Sequence, residues 1–145
     1  MKLVLDTDVI VAAMRSPKGA SAALLLAADA GEVELLATVP LYIEYEAVCT
    51  RAEHILASGV TLEEVEQFLD GLADLISPVE PWFLWRPQLR DTGDELVLEA
   101  AINGRADSLV TFNRADYRPA ATSFGMPILL PREALQALRN VRRSQ

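Results

Sequence analysis

Lys2-Leu3-Val4-Leu5-Asp6-Thr7-Asp8-Val9 opens the chain, and its reading decides the architecture. Leu3-Val4-Leu5 is a short apolar run with no polar alternation, as expected of a strand buried on both faces. It ends on the carboxylate of Asp6, with Asp8 two residues on. Moving outward, Ala20–Gly31 is Ala/Leu-rich and stops at glycine, a helix pattern. Val33–Thr38 is a second strand, and Pro40 stands at the first position of a helix over Leu41–Ala57, ended near Ser58-Gly59. Thr61 with Glu64 three residues later is the capping-box spacing of a helix reaching about Leu75. Leu75–Val79 is a third strand and Pro81–Arg90 an irregular, aromatic-rich stretch. A helix over Asp94–Gly104, strands at Ser108–Phe112 and Pro127–Leu130, and a helix over Pro131–Asn140 complete the chain. Short apolar strands alternating with helices predict an α/β sandwich with a mostly parallel sheet.

Composition fits that reading. The 145 residues suit one domain, and 51% of them are hydrophobic, enough for a core without disulfides or structural metals. One cysteine, Cys49, excludes an internal disulfide and points to a reducing compartment. No apolar run approaches the roughly 20 residues of a membrane span. The start of the chain lacks a signal-peptide pattern, so a soluble, cytoplasmic protein is the expectation. A net charge of −8 argues against a general nucleic-acid coat protein but leaves room for an enzyme that grips a polyanion locally. Eleven of the thirteen basic residues are arginines; the lysines are Lys2 and Lys18.

In open parallel sheets, sites form beyond the carboxyl ends of the strands. Asp6 lies there, although Asp6 or Thr7 serves equally well as the cap of a following helix. Glu44 falls on the edge of the stripe Leu41, Tyr45, Val48 and Ala52, where it is either an inward carboxylate needing a partner or a rim residue. Asp94 lies over the apolar face of Val97, Leu98 and Ala101, in the first turn of its helix. Asp91 is a turn candidate. Asp116 follows Leu109-Val110-Thr111-Phe112, with Thr111 and Asn113 as neutral polar neighbours. Each position alone is weak, since Asp6, Asp94 and Asp116 also read as caps or turns and Glu44 as a surface residue at the rim. Four carboxylates converging at one edge would repel one another and raise their pKa values, and Mg²⁺ or Mn²⁺ removes that repulsion. The lone histidine, His54, is expected to be an ordinary surface or boundary residue.

These segments resemble the PIN-domain family, in particular the VapC-like toxin ribonucleases of toxin–antitoxin pairs. Leu3–Val9, Pro40 through Glu44-Tyr45-Glu46-Ala47-Val48, Arg90-Asp91-Thr92-Gly93-Asp94 with Leu98–Ala101, Ala106–Asn113 with Asp116-Tyr117, and Ile128-Leu129 with Pro131-Arg132-Glu133 carry the likeness in order. The resemblance implies a three-layer α/β/α domain over residues 1–138, with about five parallel strands and a basic tail at 139–145. It implies that Asp6, Glu44, Asp94 and Asp116 are the catalytic, metal-binding acids of an endoribonuclease using Mg²⁺ or Mn²⁺. Thr7, Thr111 and Asn113 are then supporting polar groups. It further implies an RNA substrate, a cognate antitoxin and a homodimer, with no membrane association. Two positions depart from the family pattern: Asp8 stands where Asn or Ser is commoner, and Thr92-Gly93 replaces a Pro-acidic pair. Asp8 and Asp91 are therefore additional metal-ligand candidates.

Arg86, Arg90, Arg105, Arg114 and Arg118 flank the Asp94 and Asp116 segments and are candidate phosphate contacts, or alternatively partners of neighbouring acids. Trp82, Phe83 and Trp85 either stack bases or pack between elements, packing being the commoner fate. Two rival readings stand beside the nuclease. A haloacid-dehalogenase-like phosphatase would use Asp6 as nucleophile and Asp8 as acid/base, but resembles a family needing a late lysine that this chain lacks. A non-catalytic PIN-like binding module gives no reason to gather mutually repelling carboxylates.

Overall fold

The computed structural model describes residues 1–80 and 92–144. The irregular stretch with Trp82, Phe83, Trp85, Arg86 and Arg90, and the candidate ligand Asp91, lie outside the described residues.

Five short strands, β1 (Lys2–Leu5), β2 (Glu34–Ala37), β3 (Ile76–Pro78), β4 (Ser108–Val110) and β5 (Ile128–Leu129), form one parallel sheet in the order β3-β2-β1-β4-β5. The first strand is therefore central. Leu3, Val4 and Leu5 are buried, as are Leu109 and Val110 of β4, which explains why both strands lack polar alternation. Register pairs Leu3 with Leu35 on one side, and Leu3, Val4 and Leu5 with Ser108, Leu109 and Val110 on the other. The chain moves from β1 towards β2 and β3, then returns past them to place β4 on the opposite side of β1. That reversal makes the C-terminal ends of β1 and β4 a topological switch point, where a crevice opens.

Helices cover both faces. Between β1 and β2 lie α1 (Thr7–Arg15) and α2 (Ala20–Asp29); between β2 and β3 lie α3 (Val39–Cys49), α4 (Ala52–Ser58) and α5 (Leu62–Leu75). After these come α6 (Thr92–Asn103), a 3₁₀ turn over Arg114–Tyr117, α7 (Arg118–Phe124) and α8 (Pro131–Arg143). Helix α6 packs directly on β1, β2 and β4, with Val97, Leu98, Ala100 and Ala101 buried. Helix α2 packs against α1, α5 and α8. The capping box is present as the sequence predicts: Glu64 N–H donates to Thr61 Oγ1 and Thr61 N–H to Glu64 Oε1, each at 3.1 Å. Gly104 closes α6 where a Cβ would stand 2.9 Å from Ala100 O, Leu36 Cδ1 and Val79 Cγ2. Only glycine lets the helix end so close to the sheet.

Several elements differ from the sequence reading: the 3₁₀ turn and α7 have no counterpart in it, and α1 enters it only as the helix that Asp6 or Thr7 would cap. The single helix expected over Leu41–Ala57 is two. Thr50 Oγ1 donates to Glu46 O at 2.7 Å, and Arg51 is extended (φ −61°, ψ 135°), so the chain turns and α4 starts afresh. A threonine hydroxyl bonding back to the preceding turn competes with helix continuation. The last helix also runs beyond Asn140 to Arg143, so Arg139, Arg142 and Arg143 are helical rather than part of a loose tail. Arg142 forms an ion pair with Glu32, joining α8 to the turn after α2. No single helix among the described residues is long and apolar enough to cross a membrane.

Candidate active site

At the switch point Asp6 has two duties at once. Its backbone N–H continues the ladder to Val110 O at 2.8 Å, and its carboxylate accepts from Thr7 N–H at 2.7 Å as the N-cap of α1. The cap and the site are one residue: Oδ2 of the same carboxylate accepts from the buried Thr111 hydroxyl at 2.7 Å. Thr111 follows β4 directly, so the two central strands deliver the pair across 105 residues of sequence. Thr111 Oγ1 in turn accepts from Asn113 N–H at 3.0 Å, which fixes the rotamer that faces Asp6.

Asp8, in the first turn of α1, reaches the same loop. Its Oδ2 accepts from Phe112 N–H and from Asn113 Nδ2, both at 3.1 Å. Its other oxygen, Oδ1, is buried without a hydrogen-bond partner among the described residues. An orphaned carboxylate oxygen is costly unless a cation meets it.

Asp94 enters from α6, one turn before the buried Val97 and Leu98, as the apolar periodicity predicts. Its Oδ1 accepts from the hydroxyl of Tyr117 at 3.1 Å. Asp6 stands near enough to the same hydroxyl for each to shift the other's pKa, so one phenol lies beside the carboxylates that follow β1 and open α6. Tyr117 is fully buried on the 3₁₀ turn. Tyr45 of α3 is buried too, and its hydroxyl donates to Leu5 O, beneath Asp6. Neither tyrosine is singled out by sequence reasoning, which puts Tyr45 in an apolar stripe and Tyr117 only beside Asp116. The signal is the hydroxyl itself, because a buried phenol needs a polar partner that phenylalanine would not.

The remaining predicted residues sit less centrally. Asp116 is exposed on the 3₁₀ turn, yet its charge reaches Asp6 and raises its pKa. Glu44 is half-buried on α3, next to Tyr45, and makes no hydrogen bond to the cluster among the described residues. Thr7 and Asn113 support the carboxylates as expected. Arg114 pairs with Glu133 at 3.0 Å, so its nearest partner is an acid of the protein. Arg105 precedes β4 and therefore stands at the opposite end of the sheet from the site. Arg118 is exposed at the start of α7.

Electrostatically the site is a concentration of strained acids. Burial raises the pKa of Asp6, against the lowering effect of the Thr111, Thr7 and Tyr117 bonds, and Asp116 adds to the rise. Burial, then the charge of Asp6, lifts Asp8 to about 7. Burial first, then Asp6 and Asp94, push Tyr117 far above the usual phenol range, so it stays a neutral donor. No Lys or Arg among the described residues pairs with Asp6 or Asp8. Carboxylate oxygens in excess, neutral hydroxyl and amide supports, and one orphaned Oδ1 form the donor set of a hard divalent cation. As the side chains stand, no three His, Cys, Asp or Glu groups among the described residues are close enough to hold one ion together. Asp6, Asp8 and Asp94 thus have the oxygen chemistry that a hard divalent cation takes, but their carboxylates are not gathered around a single point.

A PIN-domain model matches residues 2–115, well over half of the chain. This chain belongs to the PIN-domain family. The match takes in Asp6, Asp8, Glu44, Asp94, Thr111 and Asn113 and ends one residue before Asp116, so Asp116 and Tyr117 are placed by the structure alone. No curated protein and no solved structure matches the chain. Five parallel strands flanked by helices are the fold expected of a PIN domain. Membership also tells against the phosphatase reading.

Proposed function

We propose that this PIN domain is a divalent-metal-dependent endoribonuclease, and that it is the toxin of a toxin–antitoxin pair. One observation carries the nuclease reading: Asp6, Asp8 and Asp94 all come to the switch point around buried neutral donors, with no basic side chain among the described residues paired to Asp6 or Asp8. Structural roles alone give no reason for that concentration of repelling charge. Asp6 and Asp94 would hold Mg²⁺ or Mn²⁺, joined by Asp8, with Glu44 and Asp116 at the rim. Bound there, the ion would polarise a phosphodiester, activate water and stabilise the leaving oxygen.

The chain's own residues prepare the ground. Thr111 fixes the Asp6 carboxylate, Phe112 N–H and Asn113 fix Asp8, and Tyr117 fixes Asp94. None of these donors titrates near neutral pH, so the site presents its acids without competing for their protons. Cys49 is not placed as a nucleophile: it is buried in α3 and its thiol is pushed up to about 11.

The toxin reading rests on the ordered motif likeness and on an apolar groove of about 530 Å³ formed by α1, α2 and α5. Met14, Leu25, Leu26 and Phe68 line it, and Leu26 is 67% exposed. An apolar antitoxin segment suits that surface; a second copy of the chain is the competing occupant and would make a homodimer. A reducing, cytoplasmic setting fits the free Cys49. The nuclease test compares wild type with Asp6→Asn and Asp94→Asn on a panel of structured RNAs, with Mg²⁺ or Mn²⁺ and with chelator. Metal-dependent cleavage lost in both variants, with circular dichroism unchanged, is the expected result. A folded wild type that binds neither ion would instead mark a non-catalytic module.

A further inference from the structure

A second groove, of about 570 Å³, begins at the candidate active site and leads away from it. Asp8, Val11, Ala12 and Arg15 line it at spacings of three, four and seven, which is one face of α1. Seven residues of helix rise about 10 Å, so this face runs from the carboxylate cluster at one end to a guanidinium at the other. His54 of α4 and Phe112 of the loop after β4 also line it.

Three features say what the groove takes. Phe112 is 48% exposed although its backbone N–H is tied to Asp8, so an aromatic face is held open beside the site by a hydrogen bond that does not involve its ring. Arg15 is exposed and has no ion-pair partner among the described residues, in a protein of net charge −8. The floor between them is small and apolar, with Val11 and Ala12 leaving room for a flat ring. An aromatic face, an apolar floor and a cation at the far end match a nucleotide, its base on Phe112 and its phosphate on Arg15. An apolar peptide would use the floor and leave the guanidinium idle.

We propose that this groove is a nucleotide subsite, binding one nucleotide that neighbours the phosphodiester to be cut. The inference rests on the nuclease reading. Phe112 supplies stacking, which tolerates any base. Beside the charged Asp8 and Arg15, the groove offers Thr7, Ser16 and His54 as side chains able to hydrogen-bond a base edge, and of these His54 has the ring whose donor and acceptor nitrogens would best set a preference for base identity.

The test measures binding and cleavage separately. Binding of a fluorescein-labelled single-stranded RNA hexanucleotide is followed by anisotropy in the Asp94→Asn background. Phe112→Ala and Arg15→Ala are each expected to raise Kd about tenfold, and Phe112→Tyr to restore it. Arg15→Ala should also lower the slope of log Kd against log salt by about one, which a purely structural role would not do. In the otherwise wild-type enzyme the same substitutions should raise KM more than they lower kcat, and His54→Ala should alter base preference at one position. Kd values within twofold of the parent for both substitutions overturn the subsite even where RNA is cleaved. Failure of wild type to cleave any RNA sinks the nuclease reading separately, and the hexanucleotide measurement still decides the groove. An apolar peptide whose binding depends on Phe112 but not Arg15, together with unaltered RNA binding, assigns the groove to a protein partner and also overturns the proposal.

Discussion

Asp8 offers a sharp test, because its proton affinity is a statement about stability. Burial and the neighbouring Asp6 charge raise its pKa from 3.8 to about 7. The folded protein therefore keeps a proton on Asp8 that the unfolded chain has already released. Between about pH 4 and pH 7 the native state binds more protons, so metal-free stability is highest at the acid end and falls as pH rises through that window. Three pH units at about 1.4 kcal/mol each set a ceiling near 4 kcal/mol, and partial exposure of the carboxylate brings the expected loss to about 2 kcal/mol. For a chain of this length that is roughly 8 °C in Tm. Asn at position 8 keeps an oxygen for Phe112 N–H and Asn113 Nδ2 but carries no charge. In chelator, wild type should lose about 5 °C of that between pH 5 and pH 8, while Asp8→Asn follows a distinctly flatter curve. Some slope remains in the variant because Asp6 is raised in the same direction. Saturating Mn²⁺ should lift the wild-type curve most at pH 8, where the carboxylates are ionised. Parallel curves for the two proteins in chelator would refute the placement of Asp8 in a crowded, anionic site.

Further outcomes follow from the same geometry. Tyr117→Phe fills the same buried space but removes the hydroxyl between Asp6 and Asp94, so calorimetric Mn²⁺ affinity should fall about 10- to 100-fold with the fold retained; an unchanged affinity would limit Tyr117 to packing. Gly104→Ala puts a methyl 2.9 Å from Ala100 O, Leu36 Cδ1 and Val79 Cγ2 and should cost about 1–3 kcal/mol in urea unfolding. A neutral effect would show that the end of α6 can shift. Arg114→Ala breaks only a half-exposed pair with Glu133 and should change stability by less than about 1 kcal/mol. A large loss of RNA binding in that variant would mean that Arg114 leaves Glu133 for phosphate.

Much of this was readable from the residues because the decisive signals are local. Thr61 and Glu64 announce a helix start by spacing alone, and Leu3-Val4-Leu5 announces a buried strand by lacking alternation. Asp94 above Val97, Leu98 and Ala101 follows from helical period. The break at Thr50-Arg51 was hidden because a back-bonding hydroxyl and an extended Arg51 leave the apolar period intact across the join. Tyr117 was hidden for a related reason. Sequence puts it only beside Asp116, and its function lies in one oxygen beside the carboxylates that follow β1 and open α6, far away in sequence. Glu44 shows the reverse: pattern brings it to the edge of a buried stripe, but among the described residues no hydrogen bond draws it into the cluster.

The central place of β1 has a consequence for the life of the chain. Its neighbour β4 is made only after residue 107, and the Asp6–Thr111 bond spans 105 positions. A nascent polypeptide thus emerges carrying its first carboxylates long before the strand that orients them exists. The hydroxyl that orients Asp6 is in place only once about three-quarters of the 145 residues have been made.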